Sequence, residues 1–234
     1  MPYAIITGAT KGIGKAIAEK LLSEGFSVAI CSRNKSDLEL LEQQWNEKYP
    51  TASIIAQPAD LSIKEQVIAF ADSVLSVYPA IDVLVNNAGI FLPGHIADEP
   101  EGHFERLMSL NMFSAYHLSR QILPIMKAQQ SGHIFNMCSV ASLKAYPSGG
   151  SYGITKYALL GFSENLREEL KSFNIKVTAL CPGATYSDSW AGSGFGAERM
   201  METKDVANML WASYTLSATA DVETIVMRPI KGDL

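Results

Sequence analysis

The stretch TGATKGIG, residues Thr7 to Gly14, decides the fold of this chain of 234 residues. It follows the apolar run Tyr3–Thr7 and leads into Gly14–Ser23, whose apolar residues recur at helical spacing. Glycine permits a tight turn between strand and helix and removes side chains that would keep a pyrophosphate away. The start of the helix offers free N–H groups and a partial positive charge. The stretch therefore predicts a strand-turn-helix unit that binds the phosphates of a dinucleotide; the alternative is a turn that binds nothing.

Outward from this turn, short apolar runs alternate with amphipathic stretches. Several runs are rich in Val and Ile without strict alternation, which is typical of strands buried on both faces of a parallel sheet. We therefore expect a single α/β domain over residues 1–234, a doubly wound seven-stranded parallel sheet with helices on both faces. The candidate strands are Tyr3–Thr7, Ser27–Cys31, Ser53–Gln57, Val83–Asn86, His133–Cys138, Lys176–Cys181 and Glu223–Met227. The further helix-like stretches are Lys64–Val77, Gly150–Ser172 and Asp205–Leu216.

Composition excludes several classes of function. Hydrophobic residues make up 47% and charged residues 18%, which is typical of a globular protein rather than a disordered one. The net charge of −5 argues against a general nucleic-acid binder, which would show a basic face. Three cysteines without a Cys-x-x-Cys pair, and four histidines without a His-Glu-x-x-His spacing, predict neither a disulfide framework nor a metal site. With no apolar run near 18 residues and no room for a signal peptide, we expect a cytoplasmic protein without membrane contact.

The second candidate strand ends in Cys31-Ser32-Arg33-Asn34, where a dinucleotide site usually sets its cofactor preference. A site for NAD places Asp or Glu here for the ribose 2′-hydroxyl, and the sequence has neither from Val28 to Asn34. Arg33 would instead grip a 2′-phosphate, with Ser32 adding a hydrogen bond and Lys11 approaching from the glycine turn. A charge-assisted hydrogen bond contributes about 1.5–3 kcal/mol, so we expect NADP(H) to be preferred over NAD(H). The alternative is that Arg33 is a solvated surface charge.

Ser139, Tyr152 and Lys156 are the candidates for acid–base chemistry. Ser139 follows the fifth candidate strand, and Tyr152 and Lys156 stand at i,i+4 spacing on one face of a predicted helix. A phenol titrates near pH 10, and a positive charge at about 4 Å supplies roughly 4 kcal/mol at an effective dielectric near 20. We therefore expect Lys156 to lower the pKa of Tyr152, which would protonate a carbonyl oxygen that receives a hydride. Ser139 would donate a hydrogen bond to that oxygen, although Tyr-x-x-x-Lys alone also recurs on solvated helices.

In combination these features resemble the short-chain dehydrogenase/reductase family over essentially the whole chain. The match rests on Thr-Gly-x-x-x-Gly-x-Gly at Thr7–Gly14, on Asn86-Asn87-Ala88-Gly89, on Asn111 and on Pro182-Gly183. Ser139 also precedes Tyr152 by 13 residues, the family's usual separation. The resemblance implies a Rossmann fold. It also implies a homodimer or homotetramer, in which the segments Phe104–Met126 and Tyr152–Leu170 pair across a subunit boundary.

The resemblance further implies roles for single residues. Ser139, Tyr152 and Lys156 would form the catalytic triad, with Lys156 also binding the nicotinamide ribose. Asn111 would help to hold a water chain that relays protons to Lys156.

The expected cofactor site extends along several candidate strand ends. Asp60-Leu61 resembles the pair that contacts adenine, with the alternative that Asp60 caps a helix starting near Ser62. Ser187 stands where the family usually has Thr, in a segment that would hold the carboxamide. The residues expected to bind NADP(H) are Gly8, Thr10, Lys11, Gly12, Ile13, Gly14, Ser32, Arg33, Asp60, Leu61, Asn87, Ala88, Gly89, Tyr152, Lys156, Pro182, Gly183, Thr185 and Ser187.

The leading hypothesis is an NADPH-dependent oxidoreductase that reduces a small ketone or aldehyde, with a substrate loop at about residues 186–202. A 3-oxoacyl-(acyl-carrier-protein) reductase of fatty-acid synthesis is the alternative, for which the chain shows no basic cluster beside that loop apart from Arg199. An oxidative dehydrogenase is disfavoured by Arg33. A non-catalytic NADP(H) sensor is less favoured, because a sensor has no need of Ser139, Tyr152 and Lys156 together.

Overall fold

A computed structural model describes residues 1–187 and 194–233. In this part of the chain, seven parallel strands form one sheet in the order β3-β2-β1-β4-β5-β6-β7, so the predicted doubly wound parallel sheet is confirmed. The strands are β1 Tyr3–Thr7, β2 Ser27–Ser32, β3 Ile54–Pro58, β4 Val83–Asn86, β5 Gly132–Met137, β6 Ile175–Pro182 and β7 Thr224–Met227.

The connecting helices are α1 Gly12–Ser23, α2 Lys35–Lys48, α3 Lys64–Leu75, α4 His103–Met108, α5 Ser114–Gln129, α6 Gly150–Leu170 and α7 Thr203–Tyr214. The second of these was not among the predicted helices, because most of its residues are polar. Asn34 is the N-cap of α2, because its side-chain oxygen accepts hydrogen bonds from Ser36 N at 3.0 Å and Asp37 N at 3.3 Å. A π-helical segment, Ser109–Phe113, joins α4 to α5.

Alternating residues of the strands supply the two halves of the core. Ala4 and Ile6 of β1 are fully buried against the face that carries α1, α2 and α7. Ile5, between them, is fully buried against the face that carries α3, α5 and α6. This alternation follows from the period of two in a strand, and it places helices on both sides of the sheet as predicted.

Strand β1 lies between β2 and β4. Strands β2 and β3 follow one another on one side of it, and the chain then crosses to β4 on the other side. Helices diverge from the carboxyl ends of the strands at such a switch point and leave a crevice there. The side chain of Thr7, the last residue of β1, closes the bottom of the crevice, because its Oγ1 accepts hydrogen bonds from Asn87 N and Ala88 N, both at 2.9 Å. The Asn87 side chain donates back to the carbonyl oxygens of Thr7 at 2.9 Å and Gly8 at 3.1 Å.

The predicted substrate loop leaves the sheet after β6. Its base is closed by a bridge between Thr185 and Met201, with Tyr186 N donating to Met201 O at 2.8 Å. Trp190 and Gly192, on which the loop prediction partly rests, lie outside the described residues.

The outer faces of α5 and α6 expose apolar and aromatic side chains, among them Tyr116, Ile154 and Tyr157. Oligomerisation through these faces stays a prediction. None of the helices within residues 1–187 and 194–233 is long and apolar enough to cross a membrane.

Candidate active site

A cleft of about 990 Å³ opens at the carboxyl ends of the strands. Its walls include every residue predicted to bind the cofactor, from Gly8 to Ser187, together with Ser139. Asn111, the remaining predicted site residue, is 1% exposed and lies behind the wall. The structure therefore brings together residues that are spread over 180 positions of the sequence. Among the described residues, no group of three or more His, Cys, Asp or Glu is placed to hold a metal ion.

The glycine turn presents backbone rather than side chains to the cleft. Gly12 has φ +59°, and a Cβ there would have only Ser187 Cβ within 4 Å among the described residues, at 3.5 Å. Helix α1 begins at this glycine, and no side chain of the described residues caps it. Its first N–H groups therefore face an open space lined by Thr10 and Arg33, which suits a phosphate group. The residues present fit the dinucleotide that the sequence predicts.

Gly8 and Gly14 serve packing instead of ligand access. A Cβ on Gly14 would lie 2.4 Å from Asn87 Nδ2 and 2.5 Å from Gly8 O. Gly8 has φ +64°, and a Cβ there would lie 3.1 Å from Ala88 Cα. These two glycines let the turn after β1 and the turn after β4 approach each other, which fixes the shape of the crevice.

At the far end of the cleft, Arg33 is exposed and lies near Asp60. Asp60 Oδ1 accepts hydrogen bonds from Ser62 N at 3.0 Å and Ser62 Oγ at 2.7 Å. These bonds lower the pKa of Asp60 below its usual value, and the charge of Arg33 lowers it further. Asp60 therefore closes the turn before α3, which begins at Lys64 with Ile63 at the N-cap position, and it also lines the cleft. Its contact with adenine stays a prediction.

Asn111 lies in the π-helical segment, a distortion frequent at functional sites. Its Oδ1 accepts from Ile90 N at 2.8 Å, and its Nδ2 donates to Ile90 O at 3.0 Å and Thr155 Oγ1 at 3.1 Å. Gly89 separates it from the lysine: a Cβ there would lie 3.1 Å from Asn111 Oδ1 and 3.7 Å from Lys156 Nζ. The side chain thus joins the turn after β4 to helix α6.

Ser139 and Tyr152 face each other across the cleft. Ser139 follows β5 in an extended conformation, and its Oγ accepts from Ala141 N at 3.1 Å. Tyr152 lies in the first turn of α6, with its ring edge-on to Phe91 at a centroid distance of 4.8 Å. Both side chains line the cleft, and the Ser139 hydroxyl is near enough to the Tyr152 phenol to lower its pKa. A carbonyl oxygen held between the two hydroxyl groups would have two donors.

The sequence predicts that Lys156 lowers the pKa of Tyr152, but in the structure this pKa is raised. Burial raises the pKa of Tyr152 to about 12, and the nearby Ser139 hydroxyl opposes this rise only in part. Burial also lowers the pKa of Lys156, whose Nζ donates to Met137 O at 2.7 Å and lies 5.8 Å from the centre of the Tyr152 ring. For both groups the largest cause of the pKa shift is burial, which disfavours the charged form. Tyr152 is therefore protonated at neutral pH.

The sequence analysis missed the residues at the other end of the cleft. Phe91, Leu92 and Tyr146 supply apolar and aromatic surface near Tyr152. The exposed cations Arg106 and Lys144 lie at the same cleft, although neither adjoins the loop beside which a basic cluster was sought. No local motif marks these positions.

The carboxyl-terminal residues were missed as well. Arg228 and Asp233 line the cleft and form an ion pair. A Cβ on Gly183 would lie 3.1 Å from Asp233 Oδ1, so the terminal segment packs against the turn after β6.

The sequence profile of the short chain dehydrogenase family matches residues 2–194. An oxidoreductase of Staphylococcus epidermidis, itself uncharacterized, is 30% identical over 227 residues, which cover 97% of this chain and 96% of that protein. The chain therefore belongs to the short chain dehydrogenase family, and the resemblance read from its motifs is confirmed.

Solved structures agree with this assignment. An alcohol dehydrogenase from the archaeon Thermococcus sibiricus, complexed with 5-hydroxy-NADP, has a TM-score of 0.90 at 26% identity, covering 98% of this chain and 97% of that one. A β-ketoacyl-[ACP] reductase from Bacteroides thetaiotaomicron has a TM-score of 0.85 at 34% identity, covering 98% and 97%. This chain is thus an oxidoreductase of that family.

Proposed function

We propose that this chain is an NADPH-dependent reductase that converts a ketone or aldehyde into an alcohol. One observation carries the proposal: a single cleft is lined by the glycine turn at the start of α1, by the exposed Arg33 and by both Ser139 and Tyr152. The related Thermococcus sibiricus enzyme, solved with 5-hydroxy-NADP, supports the choice of cofactor.

NADPH bound in the cleft supplies a hydride to the carbonyl carbon. The chain's own part is to hold the carbonyl oxygen and to give it a proton. Tyr152, whose phenol is protonated at neutral pH, is the proton donor, and Ser139 donates a hydrogen bond to the same oxygen. Lys156 is placed to bind the ribose of the cofactor and to return a proton to Tyr152. Asn111 fixes the backbone at Ile90 beside this proton path.

The substrate end of the cleft favours an apolar carbonyl compound, because Phe91, Leu92 and Tyr146 line it. A 3-oxoacyl thioester on a carrier protein is the second candidate. The exposed cations Arg106 and Lys144 at the same cleft favour it, since they would attract an acidic partner. The 34% identical Bacteroides thetaiotaomicron reductase also favours it.

The test follows NADPH absorbance with a panel of ketones, aldehydes, quinones and 3-oxoacyl thioesters. We expect turnover with at least one class, and Tyr152→Phe should lower kcat by about 100-fold or more because the proton donor is lost. The dissociation constant of NADPH should change little. Tyr157→Phe is the matched control, since it removes an exposed phenol from the same helix that does not line the cleft. Its kcat should stay within about threefold of the unmutated protein, because no proton transfer passes through it.

Two results would contradict the proposal. Full activity of Tyr152→Phe would exclude this phenol as the proton donor. Tight NADPH binding with no turnover of any panel member would favour the non-catalytic sensor.

A further inference from the structure

Helix α6, which carries Tyr152, begins without a capping side chain of its own. Its first residue is Gly150, and the preceding position, where Ser, Thr, Asp or Asn usually caps a helix, is Gly149. The first N–H groups of any helix have no acceptor within the helix. An acceptor for this end must therefore come from another segment.

Glu99 supplies that acceptor from the segment between β4 and α4. Its Oε1 accepts a hydrogen bond from Ser151 N at 2.9 Å, and its Oε2 accepts a short bond from Ser151 Oγ. The carboxylate side chain is only 8% exposed. The hydrogen bonds from Ser151 keep the pKa of Glu99 below its usual value, so the side chain is ionised at neutral pH. A negative charge at this point also interacts favourably with the helix dipole.

The backbone is shaped to admit this carboxylate. Gly150 has φ +44°, and a Cβ there would lie 2.3 Å from Glu99 Oε1 and 2.6 Å from Gly94 O. Gly94 N donates to Ser148 O at 3.0 Å, so the two segments are also joined through their main chains. Glycine at position 150 is therefore required for Glu99 to reach the start of the helix.

The segment that carries Glu99 also contacts the reacting centre directly. Phe91, near its start, packs edge-on against the Tyr152 ring. Tyr152 immediately follows Ser151, the residue that Glu99 holds. Glu99 itself is not among the residues that line the cleft.

We propose that Glu99 is a positioning residue for Tyr152. By holding Ser151, it fixes the first turn of α6 and thereby the phenol relative to Ser139. The proposal rests on the proposed function, in which the Tyr152 phenol donates the proton. A displacement of about 1 Å at a reacting group can cost about 100-fold in rate.

The test compares Glu99→Ala with Glu99→Gln. Glutamine keeps both contacts without the charge, because its oxygen can accept from Ser151 N and its amide can donate to Ser151 Oγ. We expect Glu99→Ala to lower kcat by about 10- to 100-fold, with the dissociation constant of NADPH unchanged within about threefold. Glu99→Gln should recover most of kcat. The matched control is Glu101→Ala, which removes an exposed carboxylate two residues further along the same segment.

Amide hydrogen exchange of residues 150–155 gives a readout that does not depend on turnover. Glu99→Ala should speed this exchange, whereas Glu99→Gln and Glu101→Ala should not. If Glu99→Ala speeds the exchange but the unmutated protein reduces no carbonyl compound, the proposed function is contradicted. The result would still support the role of Glu99 in fixing the first turn of α6. Unchanged exchange, an unchanged kcat in Glu99→Ala, or a Gln variant as impaired as the Ala variant would overturn the positioning role.

Discussion

Strand β5 has a buried titratable group beside each of its ends, and the two groups share several properties. His133, near the amino end, and Lys156, beside the carboxyl end, are 2% and 5% exposed. Burial lowers the pKa of both, that of His133 to about 3. Each has one close hydrogen-bond partner: His133 Nε2 lies 2.8 Å from Thr178 Oγ1, and Lys156 Nζ lies 2.7 Å from Met137 O.

The surroundings of the two groups differ. The His133 ring stacks on Phe135 at a centroid distance of 3.8 Å, inside the packed sheet. Lys156 faces the cleft beside Gly89 and Tyr152. A shifted pKa therefore indicates burial at both ends of β5. It indicates a catalytic role only at the carboxyl end, where the strands open onto the crevice.

Replacing Lys156 is the strongest test of this contrast. Lys156→Met keeps an unbranched side chain but removes the charge and the donor, so we expect kcat to fall by roughly 100- to 1000-fold. Stability should change little, because the hydrogen bond to Met137 O and the cost of burying a charge are lost together. Steady-state kinetics and thermal unfolding measure the two quantities. A variant that keeps its kcat would place Lys156 with His133 as a structural residue.

The glycine turn and the spacing of Tyr152 and Lys156 are predictable from sequence because each is a local pattern. A strand, a turn with positive φ at Gly8 and Gly12, and a helix follow one another within 21 residues. An i,i+4 pair on a helix shares one face wherever the helix lies. Parallel strands then bring these patterns to a common edge of the sheet, so most of the cleft wall follows from the topology.

Other features depend on contacts between distant segments, which spacing does not encode. The pKa of Tyr152 rises because of what packs around its ring, and the i,i+4 pattern carries no information on that. The cap on α6 comes from Glu99, 52 residues before Ser151. Arg228 reaches the cleft only because β7 lies beside β6.

Arg33 extends the comparison to a charge that is exposed at the cleft instead of buried. With no desolvation to offset, it affects the protein mainly through a ligand, so Arg33→Asp should leave stability unchanged. The ratio of kcat/KM for NADPH to that for NADH should fall by about 10- to 100-fold, the range that a charge-assisted hydrogen bond to a phosphate supplies. Steady-state kinetics with both cofactors measures the ratio.

The control for Arg33 is Lys35→Asp. Lys35 is an exposed cation two residues further along the chain, and it is not part of the cleft wall. Its ion pair with Glu39 is a surface pair at 3.5 Å, which contributes little. Equal use of both cofactors by the unmutated protein, or an equal effect of both substitutions, would show that Arg33 is only a solvated charge.

At neutral pH the smallest effect should come from His133, which influences stability only in acid. Because its pKa is about 3 in the folded protein against about 6.5 when unfolded, the unfolded chain binds more protons between these values. Stability should therefore fall as the pH drops through this window, by up to about 1.4 kcal/mol per pH unit from this group. His133→Gln cannot titrate, so urea unfolding at several pH values should give it a shallower acid slope than the unmutated protein, with kcat unaltered. His95→Gln, at an exposed position, should keep the original slope. Parallel slopes for the unmutated protein and His133→Gln would mean that burial does not lower the pKa of His133. His133 and Lys156 would then not share a pKa lowered by burial.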